Sequence, residues 1–439
     1  MNEELRMRED WVECTLDDLL VLMTNGSSAK QFKENIGLPI SRIETIWNET
    51  IDFERVKYIK ENDEDFIEKY KLKKNDILLS HINSDNHLGK TAIYKDETRT
   101  LIHGINLLKL RPSKQISADL LLHQFRFKKI KGDFIAVAQR AVNQSSINQR
   151  KLKVFDFILP PLVEQKAIVN KIEELFSSLD SGIADLKKAQ KQLVVYRQAV
   201  LKKSFEGFKE VPFEEIITSS QNGISKRRGS EGKEIKVLRL ADITKLAIDN
   251  SSPRSILLND KELDKYKLCE GDLLAIRVNG SIDLVGRFVH ISNKDETEVW
   301  AFCDHLIRVK LDKKISEPKF YYYYLQIPEV RKFIHENMVS SAGQNTVSQS
   351  TVKSISVPVA SIEEQHQIVS DIENRLSVCD TVEKDIAYSL EKAQALRQSI
   401  LKQAFEGKLL SEAEIAQCKA HKDYEPASVL LERIKNEKI

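Results

Sequence analysis

The chain has 439 residues, too many for one ordinary domain, so two to four folding units are expected. Its 68 basic and 66 acidic side chains leave a net charge of +2, so any nucleic-acid site has to be local. No apolar run approaches the ~20 residues of a membrane span, the start MNEELRMRED is too polar for a secretory signal, and five scattered cysteines without CxxC spacing suit reduced thiols in a cytosol.

Residues 1–158 read as a globular part mixing short strands, turns and helices. The triplet GKT at 89–91 resembles half a phosphate loop, but Ser84 stands where the first glycine belongs, so the motif fails. NQSS at 143–146 is a polar, amide-rich loop at the hinge into a helical stretch. Over 159–207 the pattern changes to a seven-residue apolar repeat. It runs through Ile168, Ile172, Leu175, Leu179, Ile183, Leu186, Ala189, Leu193, Tyr196 and Val200, a spacing that suits a coiled-coil seam. Pro160-Pro161 stands where a helix can begin and Gly207 where one can stop. Gly182 is expected to weaken the helix locally.

Residues 208–357 again read as globular. VLRLADI, DLLAIRV and HLIRVKL are strand-like, and KFYYYYLQIPEVRKFI is helix-like, with Tyr321–Tyr324 expected to pack against its own unit. Between Ser225 and Leu240 six cations face two anions. The Lys226-Arg227-Arg228 stretch inside it is either a phosphate- and base-contacting loop or a solvated charged turn. RVNGS (277–281) either reads a purine edge or caps a hairpin. SSAGQNT (340–346) occupies the same place in its unit as NQSS does in the first. Residues 358–408 repeat the helical pattern through Ile368, Ile372, Cys379, Val382, Ile386, Ala393, Leu396 and Ile400, and a short helical tail fills 409–439.

The two halves are copies. RQAVLKKSFEG (197–207) and RQSILKQAFEG (397–407) share seven of eleven positions, and 144–207 aligns with 344–407 without a gap at 19 identities, Glu164-Gln165/Glu364-Gln365 and Asp180/Asp380 among them. PISRIETI (39–46) is similar to KVLRLADI (236–243), and LKKNDILLSHIN (72–83) to LCEGDLLAIRVN (268–279). Since 208–357 joins the end of the first helix to the start of the second, the helices are expected to run antiparallel. At 1.5 Å per residue, 163–206 spans about 66 Å.

Two variable globular parts, each followed by a helix reading LPPLVEQKAIVNKIEELF…RQAVLKKSFEG or VPVASIEEQHQIVSDIENRL…RQSILKQAFEGKL, resemble the specificity subunit of type I restriction–modification systems. The ending EPASVLLERIKNEK (425–438) and the openings DWVECTLDDLL (10–20) and EVPFEEII (210–217) fit as well, although the second opening has no counterpart of Trp11. The resemblance implies an α+β chain in which two mixed α/β target-recognition domains are separated by two long antiparallel coiled-coil helices, a pseudo-two-fold internal repeat. Each domain would read half of an interrupted DNA site, with the helices setting the gap, at most about 19 base pairs. The chain would be non-catalytic and bind no cofactor. Two methyltransferase subunits using S-adenosylmethionine and a restriction subunit using ATP and Mg would be its partners in a prokaryotic cytoplasm, with no membrane involved. Candidate DNA contacts are Ser27, Lys30, His81, Asn83, Asn143 and Gln144 in the first half, and Lys226, Arg227, Arg228, Arg277, Asn279, Gln344 and Asn345 in the second. Arg197, Lys202, Arg397 and Lys402 are candidate contacts with the partner helix or a methyltransferase. Two other readings are a coiled-coil adaptor that binds only protein and an enzyme such as a nuclease. HExxH, GxGxxG and paired CxxC motifs are all missing from the sequence, which counts against the latter.

Overall fold

The structure, a computed structural model, describes residues 8–141, 144–229, 231–244, 246–249, 251, 253–292 and 300–437. It divides into two units, Met1–Asp185 with Ser389–Ile439, and Leu186–Tyr388.

Both units contain the same antiparallel four-stranded sheet. In the first its order is Leu20–Asn25, Leu107–Pro112, Ile77–Ser80, Thr91–Ile93; in the second it is Ile217–Asn222, Leu306–Leu311, Leu273–Ile276, Phe288–His290. Strands Ile77–Ser80 and Leu273–Ile276 are buried at every position, as uninterrupted apolar runs require when both sheet faces are covered. In the first unit one face packs on helix Ala118–Lys131 through Leu121, Leu122 and Phe125. In the second, Phe320, Tyr321 and Tyr324 of helix Pro318–Tyr324 cover the equivalent face, so the tyrosine run is core. Each globular part closes on itself: Val12–Thr15 pairs antiparallel with Asp156–Leu159, and Glu210–Pro212 with Ser356–Pro358, just ahead of a long helix.

The long helices are Leu162–Ser204 and Ile362–Phe405. Gly182 does not interrupt the first. It is exposed, a Cβ there would meet nothing within 4 Å, and the helical ladder on either side carries it through. In the first unit Ile168, Val169, Ile172 and Phe176 cluster with Ile400, Leu401, Ala404 and Phe405, and Arg397 pairs with Asp180. In the second, Leu201 and Phe205 cluster with Val369 and Ile372, while Arg197 pairs with Asp380 at 2.6 Å and Glu383 at 3.1 Å. In each unit, therefore, rising numbers on one helix meet falling numbers on the other, and the pair is antiparallel. Along the second long helix Ile372, Cys379, Ile386, Ala393 and Ile400 keep a strict seven-residue step and are all buried. Tyr196, Val382 and Leu396, expected in the seam, are 48%, 40% and 51% exposed, because an antiparallel pair covers only a narrow stripe of each helix.

The repeated Glu-Gln pair explains itself here. Gln165 and Gln365 are fully buried. The Gln165 side chain accepts from Ser117 N (2.9 Å) and donates to Pro160 O (2.9 Å). Gln365 accepts from Glu317 N (2.8 Å) and donates to Ile315 O and Ala360 O (2.9 Å each). Each glutamine thus ties the first turn of a long helix to the loop that starts the sheet-covering helix. Gln365→Leu is expected to cost about 2 kcal/mol, because it strands one buried N–H and two carbonyls. Urea unfolding of the two variants should show a larger loss for Gln365→Leu than for Gln165→Leu.

The neighbouring glutamates have diverged. Glu364 is exposed and forms a capping box with Ser361. Glu164 is buried, accepts from Trp11 Nε1 at 2.8 Å and pairs with Arg8 at 3.1 Å. Around it the tail returns to the chain's start. Tyr424 donates to Asp10, Ala427 N donates to Asp10 O, and Leu430, Leu431 and Ile434 of helix Ala427–Asn436 join the core of Leu16 and Leu19.

A candidate nucleic-acid interface in each unit

Several predicted contact residues, chosen from separate stretches of sequence, meet on one small sheet per unit. In the first unit its order is Gln139–Ala141, Gln144–Ser146, Ile82–Asn83, with Asn83 opposite Ser145. In the second it is Val278–Asn279, Gln344–Thr346, Val339–Ser341, with Asn279 opposite Asn345. One outer strand of each sheet, 139–141 or 339–341, is exposed at every residue. The second hairpin turns at Ala342 (φ 48°) and Gly343 (φ 76°), the left-handed pair that a two-residue hairpin turn needs. Asn143 lies outside the described residues.

The polar side chains on these sheets are held, not loose. Asn83 donates to Ser80 Oγ (3.1 Å) and accepts from Ser84 N; Asn345 donates to Gly280 O (3.1 Å); Asn279 accepts from Ser281 N (2.9 Å). Gln144 and Gln344 are exposed. Arg277 is half-buried and donates to Asp304 O at 3.0 Å. His81, at the position equivalent to Arg277, is 8% exposed, and burial lowers its pKa to about 4, so it is neutral at pH 7 and offers no charge to a ligand. Asp85 and Arg140 flank the first sheet, 3.7 Å apart, and Ser145 donates to Asp85. Sequence reading missed both, because Asp85 lies in a turn with no motif and Arg140 precedes the quoted loop.

A second element in each unit comes after Asn25-Gly26 and Asn222-Gly223. A Cβ on Gly26 would lie 2.2 Å from Gly104 O, and one on Gly223 2.1 Å from Cys303 O, so only glycine allows the chain to pass. Beyond it, Ser27 is 2% exposed and its hydroxyl accepts from Ala29 N, which makes it a turn former rather than a surface group. Lys30 is exposed beside Phe32, whose ring also faces Lys60. Of the basic triplet, Arg227 and Arg228 are exposed, while Lys226 pairs with Glu262 at 2.5 Å. The helix-end cations take intramolecular partners. Lys202 reaches Glu329 (2.5 Å) and Lys402 reaches Glu406 (3.8 Å), beside the Arg197 and Arg397 pairs described above.

The family model of the type I restriction modification DNA specificity domain matches twice, at residues 8–193 and 206–392. The chain belongs to this family. It is 30% identical over 452 residues to the StySPI type I restriction enzyme specificity subunit of Salmonella potsdam, covering 99% of this chain and 96% of that one. A putative MjaX type I specificity subunit of Methanocaldococcus jannaschii is 32% identical, with 91% and 94% covered. The Escherichia coli K12 EcoKI specificity subunit is 26% identical, with 99% and 96% covered. A chain solved in a type I restriction–modification system has the same fold at a TM-score of 0.71 and 17% identity, covering 92% of this chain and 99% of that one. The HsdS subunit of Thermoanaerobacter tengcongensis matches at 0.57 with the same identity and coverage. Two tandem specificity domains with long helices bear out the α+β repeat architecture expected from the sequence. Among the described residues, no helix is long and apolar enough to cross a membrane.

Proposed function

We propose that this specificity-family chain is the DNA-recognition subunit of a type I restriction–modification complex, each unit reading one half of a bipartite duplex site. The observation that carries this reading is the duplicated small sheet. Each copy is a three-stranded sheet that carries an exposed glutamine, Gln144 or Gln344, at the start of its central strand and an asparagine, Asn83 or Asn279, on an edge strand. Its protruding hairpin has a shape that fits the major groove, where amides pair with adenine. The basic loop at Arg227 and Arg228 supplies phosphate contacts, which set register and affinity rather than sequence.

We take the long helices, Leu162–Ser204 and Ile362–Phe405, to set the gap between the two half-sites. Catalysis belongs to partners: two methyltransferase subunits with S-adenosylmethionine, and a restriction subunit with ATP and Mg, working in a prokaryotic cytoplasm. Val194, Val195, Tyr196, Val378 and Tyr388 lie exposed on the helices of the second unit, and they support a partner that covers this surface.

Methylome sequencing of cells expressing the chain with its methyltransferase is the test. The expected motif is two short fixed sequences separated by a constant unread gap; grafting another family member's 208–357 should change one half only. A contiguous motif, or none, overturns the reading. In binding assays Arg227→Ala/Arg228→Ala should weaken every DNA sequence alike and make the dependence of log K on log salt shallower by about 2. An adaptor that binds only protein would show no footprint in the assembled complex.

A further inference from the structure

The two units differ at the turn beside the reading ribbon. In the second unit this turn starts at Ser281, and Leu284 N and Val285 N both donate back to Ser281 O. In the first it starts at Ser84, with His87 N and Leu88 N donating to Ser84 O. Counted from the shared serine, Ile282 stands where Asp85 does, and Leu284 where His87 does. Ile282 and Leu284 are 46% and 43% exposed.

These apolar side chains sit on a rigid support. The buried Arg331 guanidinium, 7% exposed, donates to Ile282 O (3.5 Å) and Asp283 O (3.3 Å), and Arg287 donates to Asp283 O (3.0 Å). Gly286 (φ +68°) brings the turn's end so close to helix Pro328–Asn337 that a Cβ would lie 2.5 Å from Ile334. The turn also abuts the ribbon tip: Asn345 donates to Gly280 O, and a Cβ on Gly280 would lie 3.6 Å from Gly343 O. Arg331 and Arg287 thus hold the turn's backbone carbonyls from below, and Ile282 and Leu284 stand exposed on either side of Asp283.

Resting on the reading proposed above, we infer that Ile282 and Leu284 recognise the C5-methyl groups of thymines in the half-site of the second unit. In the major groove the thymine methyl is the one apolar feature a base edge presents, so aliphatic side chains beside a major-groove ribbon have one matching partner there. The first unit has a carboxylate and an imidazole at these positions. It lacks this preference and is suited to donors such as the cytosine amino group at Asp85.

The test uses the assembled methyltransferase complex and duplexes in which single thymines of the methylome-defined site are replaced by deoxyuridine, which removes only the methyl. Binding should weaken about 4-fold per contacted methyl, the worth of one buried methyl group. The effect should be confined to one half-site and absent in Ile282→Ser/Leu284→Ser, whose side chains are exposed and whose first-half recognition should persist. Wild-type binding indifferent to every deoxyuridine, or a double variant as sensitive as wild type, overturns the inference. Indifference to deoxyuridine alongside a bipartite motif removes this inference alone; a wild-type methylome without a bipartite motif removes the reading beneath it.

Discussion

Lowering the pH from 8 to 5 is expected to destabilise the first unit by about 6 kcal/mol while leaving the second nearly intact. His81, His103 and His123 all lie in the first unit and are 8%, 0% and 4% exposed. Burial lowers their pKa values to about 4, about 4 and about 3. For His103 the nearby Lys109 charge works in the same direction, against weaker opposition from the Tyr70 and Thr24 carbonyls; for His123, Arg126 adds to the burial effect. The sign is set by proton binding. Between the folded values and the unfolded value near 6.5, the unfolded chain binds protons that the folded chain refuses, so stability falls as pH falls through 6.5. At pH 5 each histidine contributes a loss of about 2 kcal/mol, and the sum rivals the whole stability of an ordinary domain. Peptide-resolved hydrogen exchange at pH 8 and pH 5 is the measurement. Residues 77–81, 101–110 and 118–131 should lose protection at pH 5, while 273–276 and 306–311 keep theirs. His123→Leu should recover about 2 kcal/mol of the loss. Equal loss in both units would place the acid sensitivity in their carboxylates instead.

The sequence and the structure agree most closely where the physics is periodic. Ile372, Ile386 and Ile400 announce a helix seam because a repeat of seven brings the same face round again, and no distant part of the chain is needed to see it. Tyr196, Val382 and Leu396 satisfy the same spacing, yet they face outward, because which of two apolar stripes is covered depends on how the partner helix lies. The small sheets illustrate the opposite case. Asn83 and Ser145 are 62 residues apart in the chain and adjacent in space, and strands of two and three residues leave no alternation to recognise. Their amides were legible as polar loops; their convergence was not. Glu164-Gln165 was visible as an identity between halves, but the buried glutamine junction it forms exists only once Ser117 and Pro160 have been brought to it.

Arg308→Met is expected to cost about 3–5 kcal/mol, whereas Lys109→Met should cost only about 1–2 kcal/mol, although both remove a buried cation from the same position of the same strand. The two units carry these charges in exchanged order. LKLR at 108–111 places lysine inside and arginine outside, and IRVK at 307–310 places arginine inside and lysine outside. Lys109, 1% exposed, donates to Lys69 O (2.9 Å) and Lys71 O (3.3 Å), at the C-terminal end of helix Glu64–Tyr70. Arg308, 5% exposed, donates to Lys267 O (2.6 Å) and Lys265 O (3.0 Å), at the end of helix Asp260–Tyr266. Each cation thus satisfies carbonyls at the negative pole of a helix. The difference lies in the buried aspartate beneath. Asp76 is gripped by both Arg111 nitrogens, at 2.7 and 2.6 Å, so removing Lys109 leaves it paired. Asp272 has Arg308 Nε 4.0 Å away, while Lys310 turns to Cys269. Burial pushes the Asp272 pKa up against the Cys269 N–H bond and the Lys310 and Arg308 charges, so without Arg308 the buried carboxylate keeps that N–H and the Lys310 charge but loses its 4.0 Å ion pair. Denaturant unfolding at pH 7 should therefore separate the two variants by at least about 1 kcal/mol. Lowering the pH to 5 should narrow the gap as Asp272 takes up a proton in the Arg308→Met chain; equal losses at pH 7 would mean that the carbonyls, not the aspartate, are what these cations hold.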